Sequence, residues 1–343
     1  MATPEKKVNT DSMVDLSRSF QAEPLNVPAS VEIHKNHGRM IGLVFHVGEF
    51  SLPLLRARPV QRFHDGMEHN PLRPWMMGRV THKKNILLEN PGTPGIVLKS
   101  IPDNLPVAGD GSKDDLRSAA AWINGERRDF NTFFPGQDQK YCYEKIAVTA
   151  TPVLEQRFRS GRLNVTMELI LSSDGPVQRA TVEAVGAAPV EVDYGFMGMF
   201  PKGVTEVYAH DHRGKPVEAH LEFLSEGSEP AEIVFPHAKW LATYDPDQQF
   251  GTWIYSPEFG KADMSHRLIV DRRQGFKVYH VVGDCTPFGK VHPHTESPRL
   301  TVRPGHPQQL VLVARPIEVF PEEWKTRAEA ESSGFLKDFK DFA

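Results

Sequence analysis

Short runs of alternating apolar and polar residues fill most of the chain. Leu163, Val165, Met167, Leu169 and Leu171 alternate without a break, and Ile146, Val148 and Ala150 do so just upstream. Successive side chains of an extended chain point to opposite faces, so a period of two predicts half-buried strands. Turn residues separate these runs: Ser173-Asp174-Gly175-Pro176 leads into 177–185, and Gly186-Ala187-Ala188-Pro189 leads into 190–194. Nearer the N-terminus, residues 31–33 and 40–47 read as a hairpin about His37-Gly38-Arg39, and Gly48-Glu49-Phe50 turns the chain into 52–55. Further strands are predicted at 208–212, 217–223, 231–235, 252–255, 266–271 and 276–282. Leu300 and Val302, a Pro304-Gly305 turn, then Leu310, Leu312 and Ala314 give a last hairpin.

Two stretches read as helix. Ser112 and Asp115 resemble a capping box, and Leu116, Ala119, Ala120 and Ile123 then follow at i, i+3, i+4 and i+7, which predicts a helix over 112–124. The C-terminal stretch begins with Pro321 at a first-turn position and reads as a short surface helix over 321–343. Residues 1–27 are polar and read as a mobile or surface-draped arm. No internal repeat and no linker divides the rest, so residues 28–320 are expected to form one β-domain. The pattern predicts an all-β, antiparallel sandwich or barrel with one or two short helices.

Composition narrows the class of function. Lys and Arg total 40 and Asp and Glu total 44, a formal charge of −4, which argues against nucleic acid and against a polybasic membrane anchor. No window is apolar enough for a membrane span, and the N-terminus lacks the apolar core of a signal peptide. The two cysteines, Cys142 and Cys285, fit free thiols in a reducing compartment, so a cytoplasmic protein is expected.

Chemistry-bearing residues gather in three places. His292, His294 and Glu296 occupy alternate positions, which on an extended chain project together from one face. They suit acid–base work or a divalent metal, and Pro293 confines them to an edge strand or loop. A solvated polar edge is the plainer alternative. His64, His69, Arg73 and Trp75 crowd an irregular stretch. There Arg suits a carboxylate or hydroxyl, Trp the apolar face of a sugar ring, and His a proton. An ordinary loop packed by its Trp and Met residues explains them equally. His210-Asp211-His212 repeats the H-x-H pattern, with metal ligation weighed against a polar hairpin tip. There is no P-loop, no G-x-G-x-x-G after a strand, no G-x-S-x-G and no CxxC pair.

The order of these pieces resembles the galactose mutarotase-like superfamily, which includes the aldose 1-epimerases. The resemblance starts with VEIHKNHGRMIGLVFHVGEFSLPLL. It continues through RLNVTMELILSSDGPVQRATVEAVGAAPVEVDYGFMGMF and closes with TESPRLTVRPGHPQQLVLVARP, spreading over residues 31–317. It implies an antiparallel β-supersandwich. It also implies that Glu296 matches the family's catalytic base, which takes a proton from the anomeric hydroxyl. His64 or His69 with Arg73 would match its early substrate-binding group. The chain departs at YGFMGMF, where Gly198 or Met199 stands in place of the family's central imidazole, with His210 or His212 a few residues on.

The expectation is therefore an enzyme of carbohydrate metabolism acting on a sugar or sugar acid, of isomerase (epimerase or mutarotase) or β-eliminating lyase type, with no cofactor assigned and a divalent metal left open. Glu296 is the expected base, His292 or His294 the acid or ligand, and His64, His69, Arg73 and Trp75 the substrate-binding group. The alternatives are a cupin-like metal-dependent enzyme using His292, His294, His210 and His212, and a carbohydrate-binding protein without catalysis.

Overall fold

The computed structural model describes residues 23–36, 39–56, 75–89, 96–100, 105–107, 116–129, 142–201, 203–211, 213–220, 231–236, 238–256, 265–271, 277–282 and 299–338. The chain opens with β1 (Ala29–Asn36), β2 (Arg39–Val47), β3 (Phe50–Arg56), β4 (Trp75–Met77), β5 (Val80–His82) and β6 (Asn85–Leu88). Next come β7 (Ile96–Ser100), β8 (Leu105–Val107), β9 (Leu116–Ile123), β10 (Glu126–Asp129) and β11 (Cys142–Ala147). The central meander is β12 (Val153–Ser160), β13 (Leu163–Ser172), β14 (Gly175–Ala184) and β15 (Val190–Phe200). Then follow β16 (Glu206–His210), β17 (Pro216–His220), β18 (Ala231–Pro236), β19 (Trp240–Asp245) and β20 (Phe250–Tyr255). The last elements are β21 (Ser265–Asp271), β22 (Lys277–Val282), β23 (Arg299–Val302), β24 (Gln308–Ile317) and α1 (Trp324–Asp338).

Among the described residues these strands form three antiparallel sheets. One runs β11-β1-β2-β3-β5-β6 with β4 against β3. The ten-stranded sheet runs β10-β9-β12-β13-β14-β24-β20-β19-β16-β17. The third runs β18-β21-β22-β15-β7-β8 with β23 also on β15. The antiparallel all-β architecture expected from the alternating pattern is what the structure shows. The uninterrupted alternation of β13 becomes a buried row, Leu163, Val165, Met167, Leu169 and Leu171, on the face that meets the other two sheets.

The ten-stranded sheet is buried on both faces at one end. In β19 and β20, Leu241 and Ile254 join the main core, while Trp240, Ala242, Trp253 and Tyr255 point the other way into a second cluster. That second cluster is roofed by α1, whose Trp324, Ala328 and Ser332 fall four residues apart on the buried face. No helix among the described residues is long and apolar enough to cross a membrane.

The predicted helix over 112–124 is corrected by the structure. Residues 116–123 are β9, paired with β12 on one side and β10 on the other. Asn124 and Gly125 both have positive φ, 54° and 77°, which is the backbone a two-residue hairpin turn requires. The helical spacing of Leu116, Ala119, Ala120 and Ile123 is also compatible with a strand whose inward residues are Ala119, Ala121 and Ile123. Cross-strand pairing on both edges overrides the helix preference of three successive alanines. Residues 23–27, placed in the expected arm, are laid along the body. Leu25 N–H donates to Thr149 O, Thr151 N–H donates to Glu23 O, and the Leu25 and Val27 side chains pack on the core.

Candidate functional site

Strand β15 pairs with the strands on either side of the segment that carries three of the expected site residues. On one edge it pairs with two strands placed end to end: β22 covers Phe196 to Phe200, and β23 covers Val190 to Asp193. The chain leaves β22 at Val282, opposite Phe196, and re-enters β23 at Arg299, opposite Asp193. Only Tyr194 and Gly195 separate those two anchor points along β15. The intervening residues carry His292, His294 and Glu296, which lie outside the described residues. The register also places His280 of β22 directly opposite Gly198, the position where the sequence lacks an imidazole. Sequence reasoning missed this pairing because β15 and β22 are far apart in the chain and their partnership is tertiary.

The first candidate loop is closed by a similar device. Arg56 at the end of β3 and Trp75 at the start of β4 are direct partners, and His64, His69 and Arg73 fall between them in the sequence. Those three lie outside the described residues. Trp75 is described, and its ring is 1% exposed within the main core. Its backbone is clasped by Gln156 of β12: Trp75 N–H donates to Oε1 at 2.6 Å, and Nε2 donates to Trp75 O at 3.0 Å. The structure thus shows Trp75 in a packing position rather than on an open face.

His210 ends β16, and His212 lies outside the described residues. Asp211 accepts backbone N–H bonds from Arg213 and Lys215, each at 2.8 Å, so this stretch is a side-chain-held turn. His210 Nε2 lies 3.0 Å from both Tyr208 Oη and Glu329 Oε1, and Tyr208 donates to the same carboxylate oxygen. The His210 ring centre is 5.1 Å from that of Trp240. Burial, followed by the bond to Glu329, pushes the Tyr208 phenol well above its ordinary value. This Tyr–His–Glu group joins α1 to the sheet. Among the described residues no group of three or more His, Cys, Asp and Glu side chains is placed to hold a metal ion.

A further acid–base group sits on the opposite face of the meander strands from the main core. Glu155 of β12 and Glu168 of β13 are direct cross-strand partners, and Glu168 in turn faces Arg179 of β14. Arg157 Nε donates to Glu155 Oε1 at 2.8 Å, and Arg179 Nη1 donates to Glu168 Oε2 at 3.4 Å. Like charges directly opposed in a sheet repel. Burial first, and then the Glu155 charge, raise the Glu168 carboxyl above its usual range despite Arg179. A carboxyl raised in this way is suited to exchanging a proton with a hydroxyl group.

No family model matches the chain, and no curated protein matches it. Solved structures with similar folds include a galactose mutarotase-like protein from Clostridium acetobutylicum, at 10% identity over 81% of this chain and 95% of that one, TM-score 0.43. Another is the GH36 α-galactosidase AgaB from Geobacillus stearothermophilus, at 12% identity over 81% of this chain, TM-score 0.43. The match spans 40% of that enzyme's length. A third is the Slr1438 protein from Synechocystis, at 11% identity over 88% of this chain and 99% of that one, TM-score 0.41.

Proposed function

We propose that the chain acts on a carbohydrate or sugar acid by proton transfer beside β15. The observation that supports this is the end-to-end placement of β22 and β23 on one edge of β15, which sets Val282 and Arg299, the residues before and after the segment carrying His292, His294 and Glu296, opposite Phe196 and Asp193.

In this reading Glu296 is the general base. For an epimerase or mutarotase it takes the proton of the anomeric hydroxyl while His292 or His294 protonates the ring oxygen, so the ring opens and recloses on the other face. For a lyase it takes the proton α to a sugar-acid carboxylate while the imidazole protonates the departing oxygen. His64, His69 and Arg73 hold the substrate, the guanidinium on a carboxylate or hydroxyl pair. Both reactions need an acid and a base and no cofactor.

The test is a screen of hexoses and hexuronates, following anomer exchange by NMR and unsaturated product by ultraviolet absorbance. Glu296→Gln should reduce turnover by about 10²–10⁴-fold, the usual contribution of a positioned base, while leaving binding measurable by calorimetry. Full activity in Glu296→Gln would remove Glu296 from the mechanism. Sugar binding with no turnover in the unaltered protein would replace this reading with that of a binding protein.

A further inference from the structure

A cleft of about 230 Å³ opens where the β5–β6 turn, the β15–β16 link and the β19–β20 hairpin meet. Lys84, Asn85, Asp245 and Gln248 supply its polar lining, and Pro201 and Phe250 its apolar wall. None of the sequence-derived site residues lines it.

Asp245 is the acidic group of this cleft, and it is 6% exposed. Its Oδ1 accepts the N–H groups of Asp247 and Gln248, at 3.0 and 3.1 Å, which holds the hairpin turn. Its Oδ2 lies against the backbone of Gly203, so close that a Cβ there would sit 1.9 Å away. Only glycine permits this approach. Oδ2 takes no hydrogen bond from a described residue and is not sealed from solvent, so a ligand hydroxyl can donate to it in place of water. Lys84, which lines the same cleft, makes no ion pair with a described residue, whereas its neighbour Lys83 bonds Glu318 and approaches Glu49.

The geometry points to a second ligand site in this cleft, one that takes a small hydroxylated acid such as a hexuronate. Its hydroxyls would donate to Asp245 Oδ2, its carboxylate would meet Lys84, and its apolar ring face would lie on Phe250 and Pro201. The volume lies below the ~300–1,000 Å³ of sites for drug-sized ligands, so it suits a single sugar unit rather than a chain. The site is separate from β15 and stands whether or not proton transfer occurs there.

D-glucuronate is the probe, with hydrogen–deuterium exchange read peptide by peptide on the Glu296→Gln protein so that none of it is consumed. Saturating probe should slow exchange in peptides covering 83–88 and 245–252. Lys84→Ala and Asp245→Asn should each weaken that protection by about tenfold, the effect of losing one charge-assisted bond. Asparagine retains the Oδ1 acceptor and so keeps the turn. Should Asp245→Asn fail to fold, Lys84→Ala and Lys84→Glu, both at an exposed position, carry the test. D-glucose, which lacks the carboxylate, should protect the same peptides only at about tenfold higher concentration. No protection in these peptides, or protection indifferent to Lys84, overturns the site. Protection confined to peptides flanking 283–298 would do the same while supporting the β15 reading, so the two fail separately.

Discussion

Asn124 gives a direct energetic test of the β9–β10 hairpin. Its φ is 54°, a region that costs an ordinary L-residue about 1 kcal/mol or more and asparagine less. Its side chain also ties the turn to the start of the meander. Nδ2 donates to Ala147 O at 3.2 Å, and Oδ1 accepts the Thr149 N–H at 2.8 Å. Both bonds are exposed, so each contributes about 0.5–1 kcal/mol. Asn124→Ala loses both bonds and takes on the backbone strain, for a total of about 2–3 kcal/mol. Asn124→Gly loses the bonds but keeps the conformation free of strain, for about 1–2 kcal/mol. Glycine should therefore be the more stable variant by about 1 kcal/mol. Equilibrium urea unfolding at constant m-value gives the ranking directly. If Asn124→Ala equals or exceeds Asn124→Gly in stability, the hairpin account of residues 116–129 is wrong.

Three further outcomes follow from the same structure. Trp75→Ala should cost about 3–5 kcal/mol in urea unfolding as a core truncation, with Trp75→Phe much milder; a stability change under 1 kcal/mol with loss of sugar binding would return Trp75 to the substrate. Glu168 has a folded pKa above its ordinary value of 4.5, so its contribution to stability is fully present below the unfolded pKa and is lost as pH rises through the folded one. Glu168→Gln should then be more stable than the parent near neutral pH and lose that advantage in acid, as read from thermal melts across pH; greater destabilisation at neutral pH than in acid would show that the Arg179 bond outweighs burial. Chelator treatment should leave turnover unchanged, since the proposed chemistry needs only an acid and a base; near-stoichiometric metal in elemental analysis, lost in the His292→Ala/His294→Ala double variant, would move the protein to the metal-dependent reading.

The strands were legible in the sequence because alternation is a local signal. Leu163 to Leu171 announce one buried face of β13, and the structure buries that face. The β9 segment misled because alanine fits either period, and the deciding residues were the turn-forming Asn124 and Gly125. Trp75 was open to two readings, a ring stacked on a sugar or one packing its own loop, and its sequence neighbours could not show that its backbone is held by Gln156, a partner remote in the chain.

What alternation cannot supply is the neighbour across a sheet. Ser160 pairs with Leu163 around a two-residue turn at Gly161 and Arg162, and that register alone sets Glu155 opposite Glu168. A short turn therefore makes this carboxyl pair derivable from sequence once its type is recognised. No such step reaches Asp245 and Lys84, which belong to different sheets and line one cleft. The same holds for His280 opposite Gly198. Contacts fixed by a turn are readable from the residues that form it. Contacts fixed by the pairing of strands distant in the chain, as around β15, or by the meeting of sheets, as in the cleft, depend on the whole fold.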